Sequence, residues 1–236
     1  MFQRITQILK KYKYPIITIL GVLFIDQAIK LYIKTHYFLG EEYKVAGDWF
    51  ILHFTENPGM AFGMQLGGNF GKLTLSVLRI FAAIFGIYYI IKITRKGEHM
   101  GYIICVSMIL AGAVGNILDS MFYGLIFDQG TTLDMATGEY VGYYGLAEYS
   151  SNGYSSFLHG CVVDMFYFPI ISGTFPDWVP FWGGEPFEFF RPVFNFADAS
   201  ISMGVFFILI FQKRFFKPKE VKEEETTVSN KTTTEV

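Results

Sequence analysis

Charge is what this chain has little of. Of its 236 residues only 17% are Asp, Glu, Lys or Arg, against about 25% in ordinary soluble domains. The 19 basic and 21 acidic residues nearly cancel to −2, so there is no excess positive field and no nucleic-acid partner is expected. Two cysteines cannot build a disulfide scaffold. There is no HExxH segment, and His36, His53, His99 and His159 lack metal-ligand spacing, so no metal and no cofactor are expected. What the chain does have is apolar and aromatic: 52% hydrophobic residues, 26 Phe and 15 Tyr. That excludes disorder over most of its length and leaves a membrane protein or a large apolar core.

The few charges decide between these. A bilayer core of about 30 Å needs about 20 mostly apolar residues per helix. Four segments qualify, at about 15–33, 73–93, 100–118 and 196–211. Arg4, Lys10, Lys11 and Lys13 precede the first, Arg95 and Lys96 lie between the second and third, and Lys213, Arg214, Lys217 and Lys219 follow the fourth. The connection 120–197 holds one basic residue, Arg191, and eight acidic ones. The positive-inside rule then puts both termini in the cytoplasm. The expected fold is an all-α membrane protein of four transmembrane helices. A small extracytoplasmic domain with some β structure lies between helices 1–2 and 3–4. Residues 1–216 form the membrane domain, and 217–236, rich in Lys, Glu and Thr, read as a disordered cytoplasmic tail.

This orientation brings the polar residues of all four helices to the outer face: Asp26 and Lys30, Arg79, Asn116 and Asp119, and Asn195 and Asp198. Charges in a membrane cost at least about 2.5–3.5 kcal/mol each, so several at one depth imply an inward-facing polar pocket. Asp26 and Lys30, four apart, are spaced to pair. Asp164 interrupts the apolar run 161–168, and Asp198 opens the fourth helix; Asp119 is a third candidate. Two carboxylates sharing a buried site cannot both ionise easily, and such a pair can serve as base toward water and acid toward a leaving amine. From the residues alone, such an active site and a packing or ion-transport role both stay open. A small ion- or proton-coupled carrier is the alternative from another class.

Five segments then carry a resemblance: DQAIK (26–30), NPGMAFG (57–63), AGAVGNILD (111–119), VVDMF (162–166) and FNFADASISMG (194–204). They resemble, in order, the boxes of lipoprotein signal peptidase (signal peptidase II), an intramembrane aspartic endopeptidase family of the bacterial cytoplasmic (inner) membrane. The resemblance implies cleavage of signal peptides from diacylglyceryl-modified prolipoproteins on the N-terminal side of the lipidated Cys. The partners it implies are those prolipoproteins and membrane lipids. It implies Asp164 and Asp198 as the catalytic dyad and Asn57, Asn116, Asn195, Gly59, Ala61 and Phe62 as site-lining residues. Asp26, Lys30 and Asp119 would support the fold, with Arg79 matched loosely.

Two features depart from the family pattern. Ser120 stands where the family usually has Arg, and residues 127–158 are longer than usual, either a lid over the site or an extension of the outer domain. The aromatic stretch 175–190, with Trp178 and Trp182, fits an interfacial belt or equally a rim of the substrate entrance, the belt being favoured for the tryptophans. His159 and Cys161 suggest a rival thiol chemistry, although a lone Cys in an apolar run is more commonly a packed residue.

Overall fold

The computed structural model of the chain describes residues 2–59, 68–169, 171–189 and 192–216. Ala61, Phe62 and the expected tail, 217–236, lie outside them. The helices are α1 (Phe2–His36), α2 (Gly68–Lys96), α3 (Met100–Ile126), α4 (Phe196–Ile210) and a final turn, α5 (Gln212–Phe215). The strands are β1 (Glu42–Ala46), β2 (Phe50–Asn57), β3 (Thr132–Leu133), β4 (Tyr140–Val141), β5 (Val162–Tyr167), β6 (Ile171–Thr174) and β7 (Pro186–Phe189). The fold is mostly helical with some β structure, not all-α.

Among the described residues three helices are long and apolar enough to cross a membrane, over Lys11–His36, Gly71–Lys96 and Met100–Ile126. The fourth expected span is the shorter apolar α4, whose 15 residues reach about 22 Å. The helix α3 runs well past the expected boundary near Leu118. Asp119 does not stop it, because its carboxylate is buried against Lys30, and Ser120 Oγ bonds back to Asn116 O at 3.1 Å. The turn between α2 and α3 closes with Gly97 at φ +66. There Glu98 N bonds Ile93 O and Gly97 N bonds Thr94 O, a paired cap that needs a left-handed residue.

Helix α3 is the centre of the bundle and packs against α1, α2 and α4. Glycines bring it close to α4. A Cβ on Gly112 would fall 2.3 Å from Ala197 O, and one on Gly204 would fall 2.7 Å from Cys105 O. Small residues of this kind let helix backbones approach where lipid offers no hydrophobic drive. The outward side chains of α1, including Ile17, Leu20 and Phe24, are exposed apolar groups, as a lipid-facing surface requires.

Over one end of the bundle lies an antiparallel sheet of order β1-β2-β5. Alternation along β5 divides its side chains between two faces. Val163 and Met165 enter an apolar core with Ile33, Phe54, Tyr123, Phe127 and Ala147, while Asp164 faces Asn195. A bridge between Phe166 and Phe194 clips the chain to β5 just before α4, which sets Asn195 beside Asp164.

The segment 127–158 docks on the end of α1 by enclosing Lys34. That ammonium pairs with Glu56, donates to Gln129 O at 3.0 Å, and lies 5.0–5.3 Å from the ring centres of Phe127, Tyr143 and Tyr154. Trp178, Phe181 and Trp182 are exposed between β6 and β7.

The packing makes Gly115 a sensitive position. A Cβ there would lie 2.6 Å from Asp26 Oδ2 and 3.3 Å from Ala197 Cβ, whereas Gly21 has nothing within 4 Å. Gly115→Ala is expected to cost about 1–3 kcal/mol, read as a lowered unfolding temperature in detergent. Gly21→Ala should leave that temperature unchanged or slightly raised.

Candidate active site

The polar residues meet where α1, α3 and α4 converge under the sheet. Asp26, Lys30 and Lys34 fall four apart on α1, so they share a face. Lys30 is fully buried, and its ammonium meets Asp26 Oδ2 at 2.9 Å, Asp119 Oδ2 at 2.8 Å and Asn116 Oδ1 at 2.8 Å. Two ion pairs and one hydrogen bond thus surround the ammonium, and such pairing is what lets a charge be buried without severe loss. Asp26 Oδ1 also accepts from Ala197 N at 2.9 Å, tying α1 to the first turn of α4. Gln27 Nε2 donates to Asp119 Oδ1 at 2.8 Å and to Asp26 Oδ2 at 3.1 Å.

Two amides carry this cluster to the two candidate carboxylates. Asn116 Oδ1 accepts from Lys30 and also from Asn195 Nδ2 at 3.1 Å, while Asn116 Nδ2 donates to Asp198 Oδ1 at 2.8 Å. Asn195 Nδ2 also donates to Asp164 Oδ1 at 2.6 Å. Asn195 is in addition the N-cap of α4 and forms a capping box with Asp198. Its Oδ1 accepts from Asp198 N at 2.9 Å, and Asp198 Oδ2 accepts from Asn195 N at 3.3 Å. A short helix with four unsatisfied N–H groups at its start is capped this way. Here the cap fixes the rotamers of both residues.

The two carboxylates differ in surroundings. Asp164 is buried on the strand, while Asp198 is half-buried. Burial, then the charge of Asp198, pushes Asp164 up to about 7, against the pull of Lys30 and the Asn195 hydrogen bond. At neutral pH Asp164 is therefore divided between acid and carboxylate. The half-buried Arg79 of α2 lies within electrostatic reach of Asp198 and Asp164.

Of the residues expected from sequence, Asp26, Lys30, Asn116, Asp119, Asp164, Asn195 and Asp198 form one connected network. Asn57 sits at the rim, paired with Val162 in the sheet, and its Oδ1 accepts from Gly59 N at 2.9 Å. Gly59 has φ +100, which side-chain-bearing residues avoid. Gln27, Lys34, Glu56 and Ala197 N were not assigned roles from sequence. The four-residue spacing of Lys34 from Lys30 was a signal for one of them. The thiol chemistry finds no support in the geometry. Cys161 Sγ donates to Thr131 O at 3.2 Å, burial pushes the thiol up to about 11, and His159 Nδ1 contacts Ser156 Oγ and Phe157 O, both at 3.0 Å.

An apolar bundle of this kind, carrying a buried polar cluster under a small sheet, defines a multi-pass membrane protein. Two solved structures of a bacterial membrane enzyme share the fold. Both are 21% identical to this chain, with TM-scores of 0.53 and 0.52, and they cover 89% and 87% of it and 94% of their own length. The family described as Signal peptidase (SPase) II matches residues 18–214. Lipoprotein signal peptidases from two strains of Porphyromonas gingivalis are 49% identical over 194 residues, 82% of this chain and 80% of each relative. The lipoprotein signal peptidase of Amoebophilus asiaticus is 34% identical over 224 residues, 94% of this chain and 86% of that protein. The chain belongs to the signal peptidase II family. That membership sets the carrier alternative aside.

The raised Asp164 has a thermodynamic consequence. Its carboxyl holds a proton up to about pH 7 when folded, against 3.8 for its ordinary value. The folded state therefore loses stability as pH rises from about 4 to about 7. Asp164→Asn, which keeps the shape without the charge, should unfold at a higher temperature than wild type at about pH 8. The difference should close at about pH 4, as followed by thermal unfolding in detergent.

Proposed function

We propose that Asp164 and Asp198 are the catalytic pair of an aspartic endopeptidase. It cleaves the signal peptide from diacylglyceryl-modified prolipoproteins on the N-terminal side of the lipidated Cys. The observation that carries this reading is the joint anchoring of the two carboxylates by Asn116 and Asn195, with Asp164 raised to about 7. General acid–base catalysis is most effective when the catalytic pKa lies near the working pH.

The roles follow from the donors around each group. Asp198 accepts from Asn116 Nδ2 and from Asn195 N, an arrangement suited to a carboxylate that acts as base toward a water. Asp164, in its protonated form, donates to the carbonyl preceding the lipidated Cys. Water attacks, the tetrahedral intermediate forms with its oxygen facing Asp164, and a proton then passes to the leaving amine. Arg79 lowers the cost of negative charge at the pair, because its guanidinium interacts with both carboxylates.

Membrane topology is part of the proposal. The chain spans the bacterial cytoplasmic membrane four times, with α4 as the fourth span, both termini in the cytoplasm and the site at the extracytoplasmic face. The basic clusters Arg4–Lys13, Arg95–Lys96 and Lys213–Arg214 support that orientation. Residues 1–216 make up the peptidase domain and 217–236 its tail. The substrate's diacylglyceryl chains stay in the bilayer, which fixes the depth of the scissile bond.

Incubation of the detergent-purified protein with a diacylglyceryl-modified prolipoprotein peptide should give two fragments by mass. Asp164→Asn and Asp198→Asn should each lower the cleavage rate by about 10²–10⁴-fold or more. In wild type the rate should fall as pH rises through about 7, where Asp164 loses its proton. Cleavage by either variant at the wild-type rate would refute the pair.

A further inference from the structure

One buried cation has no place in the network described above. Lys72 lies in the second turn of α2, at the edge of the apolar stretch that begins at Gly71. It is 92% buried, being 8% exposed. A Cβ at Gly59 would lie 3.9 Å from its Cγ, so the left-handed turn after Asn57 borders its stem. Among the described residues its ammonium has one hydrogen-bonded partner, Cys161 Sγ at 3.5 Å. That thiol, pushed up to about 11 by burial, is neutral at physiological pH and does not balance the charge.

Among the described residues no carboxylate forms an ion pair with it either. The nearby Glu56 pairs with Lys34 and accepts from Thr131 N at 2.6 Å and Tyr143 Oη at 3.4 Å. A buried ammonium without a counter-charge is costly, and an anion beside it would be favoured by the side chain.

There is room for one. Lys72 lines a half-open cavity of about 200 Å³, far above the roughly 10–15 Å³ that admits one water. Its wall also includes Thr132, Tyr140, Ser155 and His159. These residues carry hydrogen-bonding side chains, and among the described residues no acidic one lines the cavity. Most of the wall comes from the 127–158 segment, docked in place through Lys34. We propose that this cavity is a binding site for a phosphate-type oxyanion, with Lys72 as its charged ligand and the 127–158 segment as its outer wall. The chemistry fits a phospholipid headgroup at the membrane boundary and a free phosphate alike. Cys161 stands three residues before Asp164, roughly 10 Å along an extended strand, so the site is separate from the carboxylate pair and its occupancy is measurable without peptidase activity.

The test uses the full chain, delipidated in a phosphate-free maltoside detergent, with thermal unfolding as the readout. Inorganic phosphate is titrated in one arm. Phosphatidylglycerol is titrated in a second, against a glucosyl diacylglycerol of the same chains that lacks phosphate. Wild type should be stabilised by at least one phosphate-bearing probe and not by the glycolipid. Stabilisation by phosphatidylglycerol alone identifies a headgroup, by inorganic phosphate alone a soluble ligand, and by both an oxyanion site open to either. Lys72→Met should weaken the response by about tenfold or more in apparent affinity. If Lys72→Met does not fold, His159→Ala and Tyr140→Phe on the half-buried wall should each weaken it by about threefold or more. No stabilisation of wild type by either probe overturns the proposal. So does an unchanged response in Lys72→Met, or in both wall variants.

Discussion

The ammonium of Lys30 is the group on which the arrangement turns. It is a full positive charge with no exposure to solvent, paired with two carboxylates and hydrogen-bonded to an amide oxygen on two helices. Removing it would leave Asp26 and Asp119 facing each other in an apolar bundle, a loss of the order of 3–5 kcal/mol for a broken buried pair. The ammonium also fixes Asn116, because an amide whose oxygen accepts from Lys30 must turn its nitrogen toward Asp198. The orientation of an α3 side chain beside one candidate catalytic group is thus set by a charge on α1.

The sheet supplies what helices alone could not. A strand alternates its side chains between two faces, so β5 can bury Val163 and Met165 in an apolar core and still present Asp164 to the helices. The bridge from Phe166 to Phe194 then carries the chain from that strand into α4 with one residue, Asn195, between them. Asn195 caps the helix and holds Asp164 with the same side chain. Its position is therefore determined twice, once by the backbone it caps and once by the carboxylate it binds.

Much of this was legible in the sequence. The four-residue spacing of Asp26 and Lys30 gave the ion pair, and the three-residue spacings of Asn116 with Asp119 and Asn195 with Asp198 gave one face per helix. The five motif boxes pointed to the family. The partner of Lys30 across the bundle was harder to read, because the acid that joins Asp26 is 89 residues along the chain and only packing brings it close. The docking of 127–158 was not legible at all. It rests on Lys34 being enclosed by Phe127, Tyr143 and Tyr154, and nothing in a Gly- and Tyr-rich stretch announces which cation its rings will surround. Helix α3 runs past Leu118 for a related reason, since an acid that looks like a stop signal becomes an interior residue once a buried lysine meets it.

The capping box at Asn195 and Asp198 has a consequence for how the protein comes into being. The polar centre draws on Asp26 and Lys30 near one end of the chain and on Asn195, Ala197 and Asp198 near the other. A ribosome delivers these groups in order, so a chain that stops short of Asn195 lacks the last three. The amide that orients Asp164 and the carboxylate beside it arrive together, on one short helix, after all the other parts. The emerging polypeptide therefore has no assembled polar centre until α4 is in place beside α1 and α3.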